Sequence, residues 1–277
     1  MYRIRAIFRG KLLQISLLLV LLLSITTTLQ AQDNSSLIFE DNFNSSFEPY
    51  NNGAGWNQTQ FTDQSRGTIV GSPTRSGTGA AKFTLNYPDK RAEKNKFSAG
   101  RPGEERWFGF STYIPTNWQD HNNFTIVAQI KGSPDTGEQY RSPFVSFEVR
   151  NGVWTLFNRW DPNPISQPAR NGSGGTIQSK RLYSGPYSKG QWTDWVIHAE
   201  WSYNSDGLLE LWKDGVQLAS WVAPNCYNDS EHSFHFKIGM YKPGYNESHP
   251  SPLVIYHDEV RIGNGNASYA DVAPRRR

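Results

Sequence analysis

Through most of this 277-residue chain, apolar and polar side chains alternate one for one in short runs. That period suits an extended strand with one buried face and cannot form the apolar stripe of a helix. Strands are predicted over Trp107–Ile114, Phe124–Lys131, Phe144–Arg150, Val153–Trp160, Trp192–Tyr203, Leu208–Lys213, Val216–Val222, Phe234–Tyr241 and Leu253–Ile262. Asn151-Gly152 and Asp214-Gly215 separate two pairs of these runs, and such dipeptides favour the positive φ angles of two-residue hairpins. No segment sustains a helical period. Asp161 to Gly175, rich in Pro, Asn, Gly and Ser, reads as one long loop. Many short strands joined by hairpins predict an all-β fold, a jelly-roll sandwich of two antiparallel sheets.

The beginning of the chain reads as a leader. Arg3, Arg5, Arg9 and Lys11 precede an apolar run from Leu12 to Leu23, and Leu29-Gln30-Ala31 offers a cleavage site. The run falls short of the roughly 20 apolar residues of a membrane span. Residues 1–31 are therefore expected to be a signal peptide, 32–277 a single catalytic domain, and the product a secreted monomer without membrane association. The leader holds four of the 28 basic residues and none of the 25 acidic ones, so the remaining 24 and 25 nearly cancel. The overall net charge of +3 is thus no argument for nucleic acid, and no such partner is expected. Cys226 is the only cysteine, so no intrachain disulfide can form and a packed core must hold the fold.

Two of the predicted strands have a chemical face. In Phe234–Tyr241, Phe234, Phe236, Ile238 and Met240 are expected in the core, with His235, Lys237, Gly239 and Tyr241 opposite. Gly239 would leave room for something to approach the backbone there. In Phe124–Lys131, Phe124, Ile126, Ala128 and Ile130 are expected inside, with Thr125, Val127, Gln129 and Lys131 outside. If the strands share a sheet, its polar face gathers Gln129, Lys131, His235, Lys237 and Tyr241. The plainer reading is a solvated outer face, as for most strand lysines.

Several chemistries are disfavoured. No strand carries a Glu-x-Asp-x-x-Glu pattern, and Glu148, Glu200 and Glu210 stand alone in their runs, against a paired-carboxylate glycosidase. There is no Gly-x-Ser-x-Gly elbow, and the histidines show no zinc spacing. A set of Lys, Arg, Gln and Tyr suits β-elimination from a uronic acid. That reaction removes the C5 proton alpha to a carboxylate and expels the C4 oxygen. Gln or Arg would neutralise the carboxylate, Lys or His take the proton, and Tyr protonate the leaving oxygen.

Arg91-Ala-Glu93, Gln129-Ile-Lys131, Phe236-Lys-Ile-Gly-Met-Tyr241, Gln191–His198 and His257–Gly263 together resemble the motifs of jelly-roll polysaccharide lyases related to alginate, heparin and glucuronan lyases. The resemblance, from about Glu40 to Gly263, implies a concanavalin-like sandwich. Those relatives usually carry His where this chain has Lys131; a lysine there is similar to the ulvan lyases of this fold, in which a Lys and a Tyr are thought to be base and acid. The implied activity is endolytic cleavage of ulvan between 3-sulfated rhamnose and a uronate, leaving unsaturated uronate ends. Lys131 is then the candidate base and Tyr241 the candidate acid, with Tyr245 as rival. Gln129 and Arg91 would hold the carboxylate, Lys237 a sulfate or carboxylate, and His235, Asn123 and Arg141 other parts of the substrate. Trp118, His121, Trp160 and Arg159 are candidates for sugar subsites. No organic cofactor is implied; a structural Ca²⁺ would be held by Asp41 and Asp258. Other substrates on the same reading are glucuronan, alginate or a glycosaminoglycan, and the reading from another class is a non-catalytic carbohydrate-binding module.

Overall fold

The computed structural model describes residues 35–48, 55–61, 63–168 and 174–275. The expected signal peptide and residues 169–173 of the expected loop lie outside them. Alternation along the chain becomes fifteen strands: β1 (Leu37–Asp41), β2 (Gln58–Gln60), β3 (Gly67–Val70), β4 (Ala80–Leu85), β5 (Arg91–Lys96), β6 (Glu105–Ile114), β7 (Thr125–Lys131), β8 (Val145–Arg150), β9 (Val153–Trp160), β10 (Gln178–Pro186), β11 (Gln191–Glu200), β12 (Leu208–Lys213), β13 (Val216–Val222), β14 (His235–Tyr241) and β15 (Leu253–Gly263). Helix among the described residues is confined to a 3₁₀ turn at Gln64–Arg66 and one short α-helix, Tyr269–Val272. The two predicted hairpin turns have positive φ at both central residues, 46° and 80° at Asn151 and Gly152, 52° and 90° at Asp214 and Gly215.

The strands form two antiparallel sheets, ordered β13-β12-β11-β6-β15-β4-β3, with β1 also on β15, and β10-β9-β8-β7-β14-β5-β2. The sheets are packed face to face as a β-sandwich of the jelly-roll kind. Aromatic rings carry the contact between them. Phe236 of β14 lies 5.5 Å from both Phe108 and Phe110 of β6, and Trp195 of β11 lies 5.1 Å from Phe147 of β8 and 5.2 Å from Trp154 of β9.

In β7 the alternation breaks. Its register shifts against β8 between Ile126 and Ala128, and against β14 between Ile238 and Tyr241. A bulge places two consecutive residues on one side. Val127 and Ala128 therefore both enter the core, while Ile126 stays outside the core cluster. Phe124 and Ile126, expected in the core, instead line a cavity with Gln129 and Lys131, and Val127, expected outside, is buried. Gly239 of β14 has φ 118°, and a Cβ there would sit 2.1 Å from the Ala92 carbonyl oxygen. What approaches the Gly239 backbone is thus the neighbouring strand β5, not the solvent side.

Gly239→Ala is accordingly expected to lose about 3 kcal/mol, from strain at positive φ and the collision with Ala92. Equilibrium urea unfolding measures this. A loss under about 0.5 kcal/mol, the usual size at an unconstrained surface site, would contradict the account.

Candidate active site

Register on the second sheet assembles the polar face. Gln129 of β7 stands opposite Lys237 of β14, Lys131 opposite His235, and Tyr241 opposite Arg91 of β5. Arg91, Gln129, Lys131, Lys237 and Tyr241 all line one cavity of about 550 Å³, which Arg141, Glu148 and Arg159 also line.

Three of these side chains converge on Glu93, next but one to Arg91 and 2 % exposed. Gln129 Nε2 donates to Glu93 Oε1, and Arg91 and Lys237 approach Oε2 at 3.7 and 3.9 Å. Burial raises the Glu93 carboxyl above its ordinary range, while Lys237, Arg91, Gln129 and Lys131 oppose the rise. Gln60 of β2 accepts from Lys237 (2.7 Å) and from Arg91 (3.3 Å), and so fixes both cations. The Arg91 guanidinium also lies over the Tyr241 ring at 4.5 Å. The all-polar segment Gln58-Thr-Gln60 carries no sequence signal for Gln60, and Glu93 is legible only as the end of Arg91-Ala-Glu93.

Lys131 differs from its neighbours. Among the described residues its Nζ has no hydrogen-bond acceptor; its contact is with the face of the Tyr140 ring, 5.3 Å away. Burial lowers its pKa from the ordinary lysine value and Arg91 pushes the same way, against Glu93 and Asp229. Burial likewise brings Lys237 down to about 8, helped by Lys131 and Arg91 and opposed by Glu93.

The other expected site residues divide. The Arg141 side chain lines the cavity, but its guanidinium is tied to Asp229 and to Glu138 (3.0 Å) and packs on Tyr227. Arg159 is similarly held by Ser146 (2.9 Å) and Glu148 (3.2 Å). His235 lies in an adjoining cavity, stacked on Phe97 at 4.3 Å, and burial with the nearby Lys237 and Lys131 brings it down to about 4. Asn123 donates to the Pro243 carbonyl and, with Trp118 and His121, borders a separate narrow cleft. Trp160 packs on Trp221. Tyr245 stands outside the cavity: it is 4 % exposed, its hydroxyl donates to the Pro250 carbonyl at 2.7 Å, and its ring stacks on His249. A residue four positions past Tyr241, beyond the end of β14, is carried into the Pro-Gly turn and away from the sheet face.

Asp41 and Asp258 do not fit a calcium site. Asp41 accepts from the Phe43 and Glu48 backbone N–H groups and from the Trp56 indole, and Asp258 from those of Arg75, Ser76 and Glu259. Every oxygen of the two carboxylates faces an N–H donor, the opposite of a cation. Among the described residues no cluster of three His, Cys, Asp or Glu is placed to hold a metal.

Residues 49–261 match the family model described as polysaccharide lyase. Among solved structures, an endo-β-1,4-glucuronan lyase from the fungus Trichoderma reesei is similar with a TM-score of 0.67 and 22 % identity, covering 84 % of this chain and 98 % of that one. An alginate lyase, vAL-1, from Chlorella virus is similar with a TM-score of 0.51 and 12 % identity, over 76 % and 93 % of the two chains. At these identities the likeness is one of fold. No curated protein sequence matches significantly.

The charges around Lys131 and Lys237 make their titration a test of this geometry. Arg91→Gln removes a cation and should raise both lysine pKa values; Glu93→Gln removes an anion and should lower both. NMR titration of the lysine side chains reads this directly. Movement in the same direction in the two variants would contradict the arrangement.

Proposed function

We propose that this chain, which belongs to the polysaccharide lyase family, cleaves a uronate-containing polymer by β-elimination, with Lys131 as base and Tyr241 as acid. The observation that carries the reading is the Lys131 amine, without an acceptor among the described residues, in a cavity whose other cations are already engaged. A general base needs an accessible lone pair and a pKa brought toward neutrality, and burial beside Arg91 lowers that of Lys131.

The charges balance for one carboxylate. With Lys131 as the free amine, Arg91 and Lys237 set against Glu93 leave one net positive charge. A single uronate carboxylate complements it. Arg91, Lys237 and the Gln129 amide then stabilise the negative charge that develops on that carboxylate as the C5 proton leaves. Lys131 takes the proton, the electron pair forms the C4–C5 double bond, the C4–O bond breaks, and the Tyr241 hydroxyl gives its proton to the departing oxygen. Tyr241, whose ring lies against Arg91 on the cavity wall, suits that role; the Tyr245 hydroxyl is committed to Pro250.

The polymer we propose is ulvan, cut endolytically between 3-sulfated rhamnose and a uronate. The lysine two residues after Gln129, where relatives of this fold usually carry histidine, supports that choice. Glucuronan is the competing substrate, because the Trichoderma reesei enzyme that shares the fold is by name a glucuronan lyase. We also propose, from the basic start and apolar run, that the chain is exported with loss of residues 1–31.

Incubation with ulvan, glucuronan, alginate and heparin in parallel should give rising ultraviolet absorbance with ulvan, the signature of a conjugated unsaturated uronate. Lys131→Ala and Tyr241→Phe should each lower kcat by a factor of about 100 to 10,000. The parent kcat should rise with pH as Lys131 loses its proton, at a pH below that of an ordinary lysine. Full activity of Lys131→Ala would remove that residue from the mechanism.

A further inference from the structure

Beside the candidate active site lies a second cavity, of about 470 Å³, with Gln58, Phe97, Ser133 and His235 on its wall. Tyr140, 83 % exposed, borders both cavities. The polar groups of the second cavity form a directed chain. The Asn95 amide nitrogen lies 3.2 Å from Gln58 Oε1 and 3.3 Å from His235 Nδ1. An amide nitrogen only donates, so Nδ1 is the acceptor. The neutral ring then carries its proton on Nε2 and donates it to Ser133 Oγ at 3.3 Å. With that lone pair engaged, the Ser133 hydroxyl is left to donate into the cavity. Gln58, its oxygen taken, likewise has its NH₂ to offer.

The one carboxylate on this wall is engaged elsewhere. Glu138, the single carboxylate among the described lining residues, accepts from the Ser166 backbone N–H (2.8 Å) on one oxygen, and from the Asp135 N–H (3.1 Å) and Arg141 (3.0 Å) on the other. Ser233 turns its proton inward, to the Gly100 carbonyl at 3.2 Å, and adds no donor. The Lys237 ammonium puts the His235 end of the cavity in a positive field. A wall that offers donors, keeps its one acid occupied and lies in a positive field complements a group that only accepts.

We propose that this second cavity is the subsite for an oxyanion substituent, a sulfate ester, on the sugar adjoining the cleaved bond. The proposal rests on the uronate-lyase reading and extends it to the neighbouring ring. Neutral donors oriented through His235 suit a sulfate ester, which bears charge over several oxygens and does not take up a proton. Phe97, stacked under the His235 ring, holds that ring flat and fixes the direction of its N–H.

Steady-state kinetics by ultraviolet absorbance, on ulvan, desulfated ulvan and glucuronan, test the assignment. Ser133→Ala should raise KM for ulvan about tenfold with kcat unchanged, the loss of one hydrogen bond to a charged acceptor. Gln58→Glu, which sets a carboxylate where a donor stood, should raise it further. Neither variant should alter KM on desulfated ulvan. An equal rise on all three polymers would assign the subsite to a second uronate carboxylate and overturn the sulfate. No rise on any polymer, with melting temperatures unchanged, would overturn the subsite while leaving the reaction standing. If the parent eliminates none of the three, the reaction itself fails and the subsite falls with it.

Discussion

The site is organised by one sealed carboxylate. Removing a charge from water costs several kcal/mol unless partners replace the lost solvation. Glu93 has only one close donor, the Gln129 amide, and its second oxygen has no hydrogen bond of its own, only Arg91 and Lys237 somewhat further off. It is therefore under-compensated, and its raised pKa reflects that. The converse holds for the cations: without Glu93, Arg91, Lys237 and Lys131 would face one another with no anion among them. One acid thus makes the close approach of Arg91, Lys237 and Lys131 tolerable on a single sheet face, and with Lys131 as the free amine of the proposed mechanism one net positive charge remains.

That arrangement depends on how β7 and β14 meet. The bulge at Val127 and the positive φ of Gly239 fall on neighbouring strands, where their pairing loses register. Beyond the bulge, Gln129 and Lys131 face out as plain alternation predicts; before it, Phe124 and Ile126 face out against that prediction. The cavity consequently has an apolar flank beside its cations. The sequence carried the period of β7 but not its interruption, because the bulge answers to the register of two partner strands that local alternation does not encode. Gly239 reads as an opening in the sequence, yet only the sheet order shows that Ala92 fills it.

What else escaped the sequence has similar causes. The nine runs with clear alternation all became strands, several with the same ends. β5 and β10 read as Arg-Ala-Glu-Lys-Asn-Lys and Gln-Ser-Lys-Arg-Leu-Tyr-Ser-Gly-Pro, too polar to signal a buried face, and β1 to β3 are too short for a period to show. Asp41 and Asp258 are calcium candidates by resemblance alone, and the N–H groups that converge on them are not legible in the sequence. The motifs Gln129-Ile-Lys131 and Lys237 to Tyr241 were legible because each lies on one strand. Gln60 and the Asn95–His235–Ser133 chain were not, because they join residues from separate strands and loops.

Between the two lysines of the cavity, pKa alone does not choose the base. Lys237 reaches about 8 and on that measure is well poised. But it is 3 % exposed and set between the Gln60 oxygen at 2.7 Å and Glu93, both of which stabilise its protonated form. Each would resist the proton's departure, and together they leave little room for a C5–H to approach the nitrogen. Lys131 has neither restraint: it is half-buried, and among the described residues its amine has no hydrogen-bond acceptor and lies 5.3 Å from the Tyr140 ring. Access to the proton comes before acidity in selecting a base, and access is what favours Lys131 as the proposed base and Lys237 as the fixed cation beside it.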